Sequence, residues 1–327
     1  MLFRSGWTRR RAGRGFVFLD ADGTRLPDED VERCRDLVIP PAWRDVWITP
    51  YRNGHLQAVG TDDAGRRQYL YHPDWTAQRA AEKHERVMRF GRHLPRVRER
   101  VTADLALTEP VRESACALAV RLIDLGCFRI GNDVYAEEHG SFGLTTLGRE
   151  HVRRTGDRLL FEFVGKSGVE HHIEIDDPDV VTAFERLRRR RAGDGSLFSF
   201  RTDNGWRSLT GTDVNDYLRE VSGAEATAKD FRTWHGTVLA AAALAEAPGP
   251  EASKTARKRA VAGAMKEVSE FLGNTPALAR SSYVDPRVID AYDEGRTIET
   301  AVRRKYRDAD SRRHALERAT LRLVGSK

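Results

Sequence analysis

The sequence predicts an α+β protein. A small antiparallel β-sheet domain at the N-terminus, residues 1–75, precedes a larger, mainly α-helical domain, residues 76–327, that contains a three-stranded sheet. Three observations predict this. Strand-like alternation and turn dipeptides crowd the first part of the chain. Helical periodicity dominates the rest. One stretch, HVRRTGDRLLFEFVGKSGVEHHIEI (151–175), returns to strand alternation inside the helical part, with turns at Thr155-Gly156-Asp157 and Gly165–Gly168.

In the N-terminal part, GFVFLDADG (15–23) alternates and ends in a turn, so it reads as a strand. Residues 28–37 begin with acids and read as a short helix with Val31 and Leu37 as its apolar points. DVWIT (45–49), HLQAVGTD (55–62) and RRQYLYH (66–72) read as further strands, with Asn53-Gly54 and Ala64-Gly65 as turn signals. The first fifteen residues, MLFRSGWTRRRAGRG, have no apolar signal core and read as a flexible basic arm.

Further on, residues 76–104 read as a heavily charged helix. In 111–126, Val111, Ala115, Leu118, Leu122 and Leu125 form one apolar stripe that Gly126 stops, which delivers Arg129 just beyond a helix end. Residues 177–192 read as a helix ending in four arginines, and 210–221 as a helix with Asp213 in its first turn. KDFRTWHGTVLAAAALAEA (229–247), 253–272 and a charged segment at about 299–322 complete the helices.

Composition narrows the function. There are 55 Lys and Arg against 49 Asp and Glu, a formal charge of +6, with pI about 9.3. That balance favours an acidic partner. The three cysteines, Cys34, Cys116 and Cys127, have no metal-ligand spacing and read as reduced thiols of a cytosolic protein. No apolar run is long enough to span a bilayer. No Walker loop or dinucleotide fingerprint is present, so nothing reads as a nucleotide site.

The stretch with the most unusual chemistry is GNTPALARSSYVDP (273–286). A free phenol has a pKa of about 10 and is a poor nucleophile at neutral pH. Tyr283 needs a nearby cation or hydrogen-bond donor to support its phenolate. Arg129, Lys166, Arg232 and Asn274 each stand in a compact polar segment that could supply help.

Together CFRIGNDVYAEEHGSFGLTTL (127–147), FVGKSG (163–168), KDFRTWHGT (229–237) and LGNTPALARSSYVDPRV (272–288) resemble the catalytic set of type IB DNA topoisomerases of the poxvirus-like bacterial form. IPPAWRDVWI (39–48) and GHLQAVGTDDAGRRQYLYH (54–72) match the family's N-terminal part. The pieces occur in the family's order across most of residues 15–290. The resemblance implies the tyrosine recombinase/topoisomerase IB catalytic fold. It implies Tyr283 as nucleophile, forming a covalent 3′-phosphotyrosine. Arg129, Arg232 and Asn274 would stabilise the phosphorane, and Lys166 would be the general acid for the leaving 5′-oxygen. The phosphotyrosine stores the bond energy, so neither ATP nor a metal is required. Duplex DNA is the implied partner, contacted by Arg66, Arg67, Gln68, Tyr69 and Tyr71 on the N-terminal sheet and by Asn132, Tyr135 and Lys229 in the catalytic domain. A monomer acting in the bacterial cytoplasm, on the nucleoid, is the implied setting.

Two details mark this chain. Many family members have a histidine where Asn274 stands, nine residues before the tyrosine. Asn keeps hydrogen bonding without positive charge, and His235 reads as a packing residue rather than its replacement. Lys229 stands where tyrosine recombinases usually carry the His of HxxR. That detail and the N-terminal sheet favour a topoisomerase over the alternative, a site-specific recombinase or integrase.

Overall fold

The structure, a computed structural model, describes residues 5–131, 141–188, 196–249 and 251–325. The chain divides into two compact units, Met1–Lys83 and His84–Lys327.

The smaller unit is built on a five-stranded antiparallel sheet of β1 (Trp7–Ala12), β2 (Gly15–Leu19), β3 (Arg44–Ile48), β4 (Leu56–Thr61) and β5 (Arg67–Tyr71), in the order β2-β1-β3-β4-β5. Helix α1 (Asp28–Asp36) opens with Asp28, Glu29 and Asp30, which suit the positive end of its dipole. Its Val31 and Cys34 join Phe18, Leu26, Ile39, Val46, Ile48 and Ala58 in a separate small core.

The basic arm expected at the N-terminus is, from Trp7, a paired strand inside this sheet. Its arginines misled the reading because one of them is structural. Arg9 donates to the backbone carbonyls of Ile39 (2.9 Å), Pro40 (2.8 Å) and Trp43 (2.8 Å) and lies 4.2 Å over the Phe16 ring. A guanidinium with several donors can staple a loop to a strand in this way. Gly13, at φ +57°, makes the turn into β2.

The larger unit is mainly helical, which together with the N-terminal sheet gives the expected α+β class. Its long helix α2 (Pro73–Leu105) contributes residues from His84 onward, followed by α3 (Arg112–Gly126). A three-stranded antiparallel sheet follows: β6 (Val152–Thr155), β7 (Arg158–Val164) and β8 (Glu170–Ile175). Next come α4 (Pro178–Arg188), the hairpin β9 (Ser199–Thr202) and β10 (Gly205–Ser208), and α5 (Gly211–Ser222). The hairpin was not expected. The remaining helices are α6 (Ala228–Glu246), α7 (Lys254–Leu272), α8 (Pro276–Ser282), α9 (Pro286–Asp293), α10 (Glu299–Arg303) and α11 (Ala309–Gly325).

The single terminal helix expected at 299–322 is thus two. The break is stabilised locally: the Tyr306 hydroxyl donates to the Ala301 carbonyl at 2.8 Å, and Asp308 accepts from the Ser311 amide at 2.7 Å.

The core of this unit centres on fully buried Phe90, Phe128, Phe161, Phe184, Phe198, Tyr217, Phe231 and Trp234. A buried ionic knot ties four helices. Arg98 of α2 donates to Asp124 of α3 (2.7 and 3.0 Å) and to Glu317 of α11 (2.8 and 2.8 Å), and His235 Nε2 of α6 lies 3.0 Å from Asp124.

Candidate active site

The site begins where α3 stops. Cys127 caps that helix in the left-handed region, at φ +51°, and turns the chain. Phe128 then enters the core, while Arg129 is left half-buried. Arg129 Nη2 donates to the Gly273 carbonyl at 3.2 Å. Arg232, on the second turn of α6, is only 4% exposed. It donates to the Cys127 carbonyl at 2.6 Å and to the Leu272 carbonyl. The two guanidiniums are therefore anchored to backbone on either side of the same gap, and each keeps a buried Nε without a partner among the described residues.

Gly273 closes α7 at φ +59°, and the Asn274 amide reaches back to the Ser269 carbonyl at 2.9 Å, as at many glycine-ended helices. This turn holds Asn274 with both ends of its side-chain amide buried and without a partner among the described residues. Such a group is expensive to leave unsatisfied, so it is suited to meet a ligand. Thr275 then caps α8, accepting from the Leu278 amide at 3.3 Å, and Pro276 occupies the first helical position.

Tyr283 is the C-terminal cap of α8 and is 7% exposed. The Arg232 guanidinium carbon lies 5.3 Å from the centre of its ring. Burial alone would push the phenol up. Arg232, Arg129 and Lys229 outweigh that and hold it below its ordinary value. For Arg232, burial and the neighbouring Arg129 both act to lower the pKa.

Helix α6 also seats the tyrosine segment. A Cβ on Gly236 would lie 2.8 Å from the Tyr283 carbonyl oxygen, so only a glycine admits the approach. Thr237 accepts from the Asp285 amide at 3.1 Å and donates to the Thr233 carbonyl at 2.8 Å. The GT of KDFRTWHGT is explained by this seat, a role the sequence reading missed.

The structure thus brings Arg129, Arg232, Asn274 and Tyr283 together, with exposed Lys229 near enough to bias the phenol. Lys166 opens a single turn, Lys166–Gly168, between β7 and β8; it is exposed. His235 is committed to Asp124 in the ionic knot and is not a partner for Asn274's role. The three cysteines are free and buried, with burial pushing Cys34 to about 11 and Cys116 and Cys127 to about 12. They stay protonated and unreactive at neutral pH.

On the smaller unit, Tyr69 and Tyr71 of β5 are 50% and 46% exposed and stack with centroids 6.3 Å apart. Arg67 shares their exposed face, by strand alternation. Gln68 does not. It points the other way and donates to Asp62 at 2.9 Å, and Arg66 is likewise held by Asp62, at 3.0 Å. Asn132 and Tyr135 lie outside the described residues.

A buried phenol beside two guanidiniums anchored to backbone carbonyls, with an amide that has no partner among the described residues, is suited to meet an anion. Known proteins identify which anion-handling class this is. The model of the eukaryotic DNA topoisomerase I catalytic core matches residues 72–308, and that of the bacterial DNA topoisomerase IB N-terminal domain matches 15–62. The DNA topoisomerase 1B of Acanthamoeba polyphaga mimivirus is 28% identical over 295 residues, 88% of this chain and 87% of that protein. That of Vaccinia virus (strain Copenhagen) is 22% identical over 242 residues, 71% of each chain. DNA topoisomerase 1 of Schizosaccharomyces pombe is 27% identical over 169 residues, 51% of this chain and 20% of that protein. The chain belongs to the eukaryotic-type DNA topoisomerase I family and is a type IB DNA topoisomerase, an isomerase acting on DNA. The recombinase alternative is not favoured.

Proposed function

We propose that the enzyme relaxes supercoiled duplex DNA by cutting one strand through Tyr283 and resealing it. Tyr283 Oη bonds to the scissile phosphorus as the bond to the 5′-oxygen breaks, leaving a 3′-phosphotyrosine. The phenol proton leaves to water, and a proton from the Lys166 ammonium goes to the departing 5′-oxygen. The free 5′-end turns about the intact strand. Its hydroxyl then attacks the phosphotyrosine, returns its proton to Lys166 and expels the Tyr283 phenolate, which regains its proton from water. The ester energy is conserved, so the cycle consumes no nucleotide.

In the phosphorane the non-bridging oxygens gain charge. Arg129 and Arg232 are the donors placed for them, with the Asn274 amide as a third, neutral one. The observation that carries this reading is the buried Tyr283 ring packed against Arg232, whose guanidinium carbon lies 5.3 Å from its centre, with Arg129 and Arg232 both anchored to backbone carbonyls beside it. Arg67, Tyr69 and Tyr71 support a DNA-contacting face on the sheet domain, residues 1–75, with residues 76–327 as the catalytic domain. Exposed Arg66, with Lys229, Asn132 and Tyr135, completes the proposed contacts; Gln68, turned toward Asp62, is not among them. A monomer in the bacterial cytoplasm, associated with the nucleoid, fits this role. Among the described residues no helix is long and apolar enough to cross a membrane.

The test is relaxation of negatively and positively supercoiled plasmid in EDTA without ATP. Stepwise relaxation of both signs supports the reading, and an inert plasmid sinks it. Denaturant trapping followed by peptide sequencing places the DNA adduct on Tyr283 or elsewhere.

A further inference from the structure

His171 has no task in the scheme above, yet it stands between the parts of the site. On β8 the inward positions are His171, Ile173 and Ile175. His171 pairs across the ladder with Phe163 of β7, and the two rings stack with centroids 5.0 Å apart and 20° between planes. This is where the sheet ends and the lysine turn begins. A Cβ on Gly165, the residue before Lys166, would lie 2.6 Å from His171 Cδ2 and 2.7 Å from Nε2. A Cβ on Gly273, the residue before Asn274, would lie 3.0 Å from His171 Cε1.

The imidazole therefore occupies the gap between two glycines, each next to a residue of the proposed mechanism. Gly273 is also the residue whose carbonyl anchors Arg129. The same ring lines a cavity of about 260 Å³ with Arg129 and Arg232. Burial, with Arg129, Arg232 and His172, lowers the pKa of His171, so at neutral pH the ring is an uncharged spacer rather than another cation.

We propose that His171 is a positioning residue: its ring sets the lysine turn against the Gly273–Asn274 turn, so that the proton donor meets the leaving oxygen while the phosphate is held. This rests on the assignment of Lys166 as the acid. Misplacing a reacting group by about 1 Å can cost on the order of 100-fold in rate. A side chain wedged between two such turns is placed to prevent that.

The experiment is single-turnover cleavage of two duplex oligonucleotides, one with the ordinary 5′-oxygen and one with a 5′-bridging sulfur. A thiolate leaves without needing a proton, so only defects in proton donation are rescued. His171→Ala is expected to slow the oxygen substrate about 10- to 100-fold and to recover most of that loss on sulfur. His171→Phe, which keeps a flat ring on Phe163, should lose less.

Gly165→Ala supplies an independent route should His171→Ala fold poorly. Its methyl displaces the imidazole and should show the same sulfur rescue, and in the double variant it should add no further loss. Equal losses on both substrates, or no loss from either change, would overturn the role of His171. Lys166→Ala, run beside them, separates the two claims. If sulfur fails to rescue it, the acid assignment itself falls. If sulfur rescues Lys166→Ala but not His171→Ala, only the positioning role falls.

Discussion

Arg98 and Arg232 are buried to a similar extent in the same unit, at 7% and 4% exposure, and they are buried in opposite ways. Arg98 is forked between two carboxylates, Asp124 and Glu317. Burial acts to lower its pKa, but those two acids overcome it and raise it. Among the described residues Arg232 donates to backbone carbonyls and lies beside a second cation, Arg129, and the Tyr283 phenol. Like charges gathered out of water cost free energy unless something neutralises them. The first arginine is complete in itself and holds helices together. The second lies beside another cation and a phenol, an arrangement that suits the phosphate contact proposed for it. Arg33 of the smaller unit shows that carbonyl anchoring alone is not the signature. It too is bound by carbonyls, of Pro50 and Tyr51, and by Gln57, but its neighbouring Cys34 thiol is buried and held protonated.

The contrast can be broken by substitution. The largest effect belongs to the group that Arg232 serves. Tyr283→Phe should bind plasmid and relax none of it; relaxation near the parent rate would remove the nucleophile from this site. Arg232→Ala should then lower cleavage by about 10²- to 10³-fold, the usual loss for one transition-state donor, with little loss of thermal stability. If it unfolds the protein instead, Arg232 belongs with Arg98.

Arg98→Ala should do the reverse. It strands two buried carboxylates and should destabilise by about 3–5 kcal/mol, measured by denaturant titration, while folded enzyme keeps its cleavage rate. The defect should depend on pH. Burial would raise the pKa of Asp124, but His235 and Arg98 together depress it. Its contribution is therefore intact above the unfolded value of about 3.9 and lost as pH falls below it. The gap between parent and Arg98→Ala should narrow in acid, and a constant gap would argue against this linkage.

The smallest effect is a shift in a titration. Cleavage should rise with pH along a limb set by Tyr283, positioned below the ordinary phenol value. Lys229→Ala removes one minor lowering influence and should move that limb slightly upward, while Arg232→Ala moves it further. A limb that does not move with either change would mean that something other than the phenol titrates.

Much of this was legible in the residues because it is local. Caps, glycine stops and periodicity located α1, α3, α5, α6 and α7, and the hairpin turn that bears Lys166 was marked by its glycines. Motif order located Arg129, Arg232, Asn274 and Tyr283. What escaped depends on partners distant in sequence. Arg9 looks like a solvated charge until Ile39 and Trp43 offer their carbonyls. Gln68 looks like a groove contact until the pleat turns it toward Asp62. His171 carries no mark in the chain beyond its alternation with Ile173, because its neighbours Gly165 and Gly273 are brought to it only by folding.

The glycine at 236 has one more implication. It stands one turn beyond Arg232 on α6, so a single rod bears both that arginine and the seat of Tyr283. Their spacing is then a helical pitch rather than a compromise among loops. Heating should not wear the enzyme down gradually: catalytic competence should vanish in one step, when that rod frays, and a methyl group at 236 should bring the step to a lower temperature.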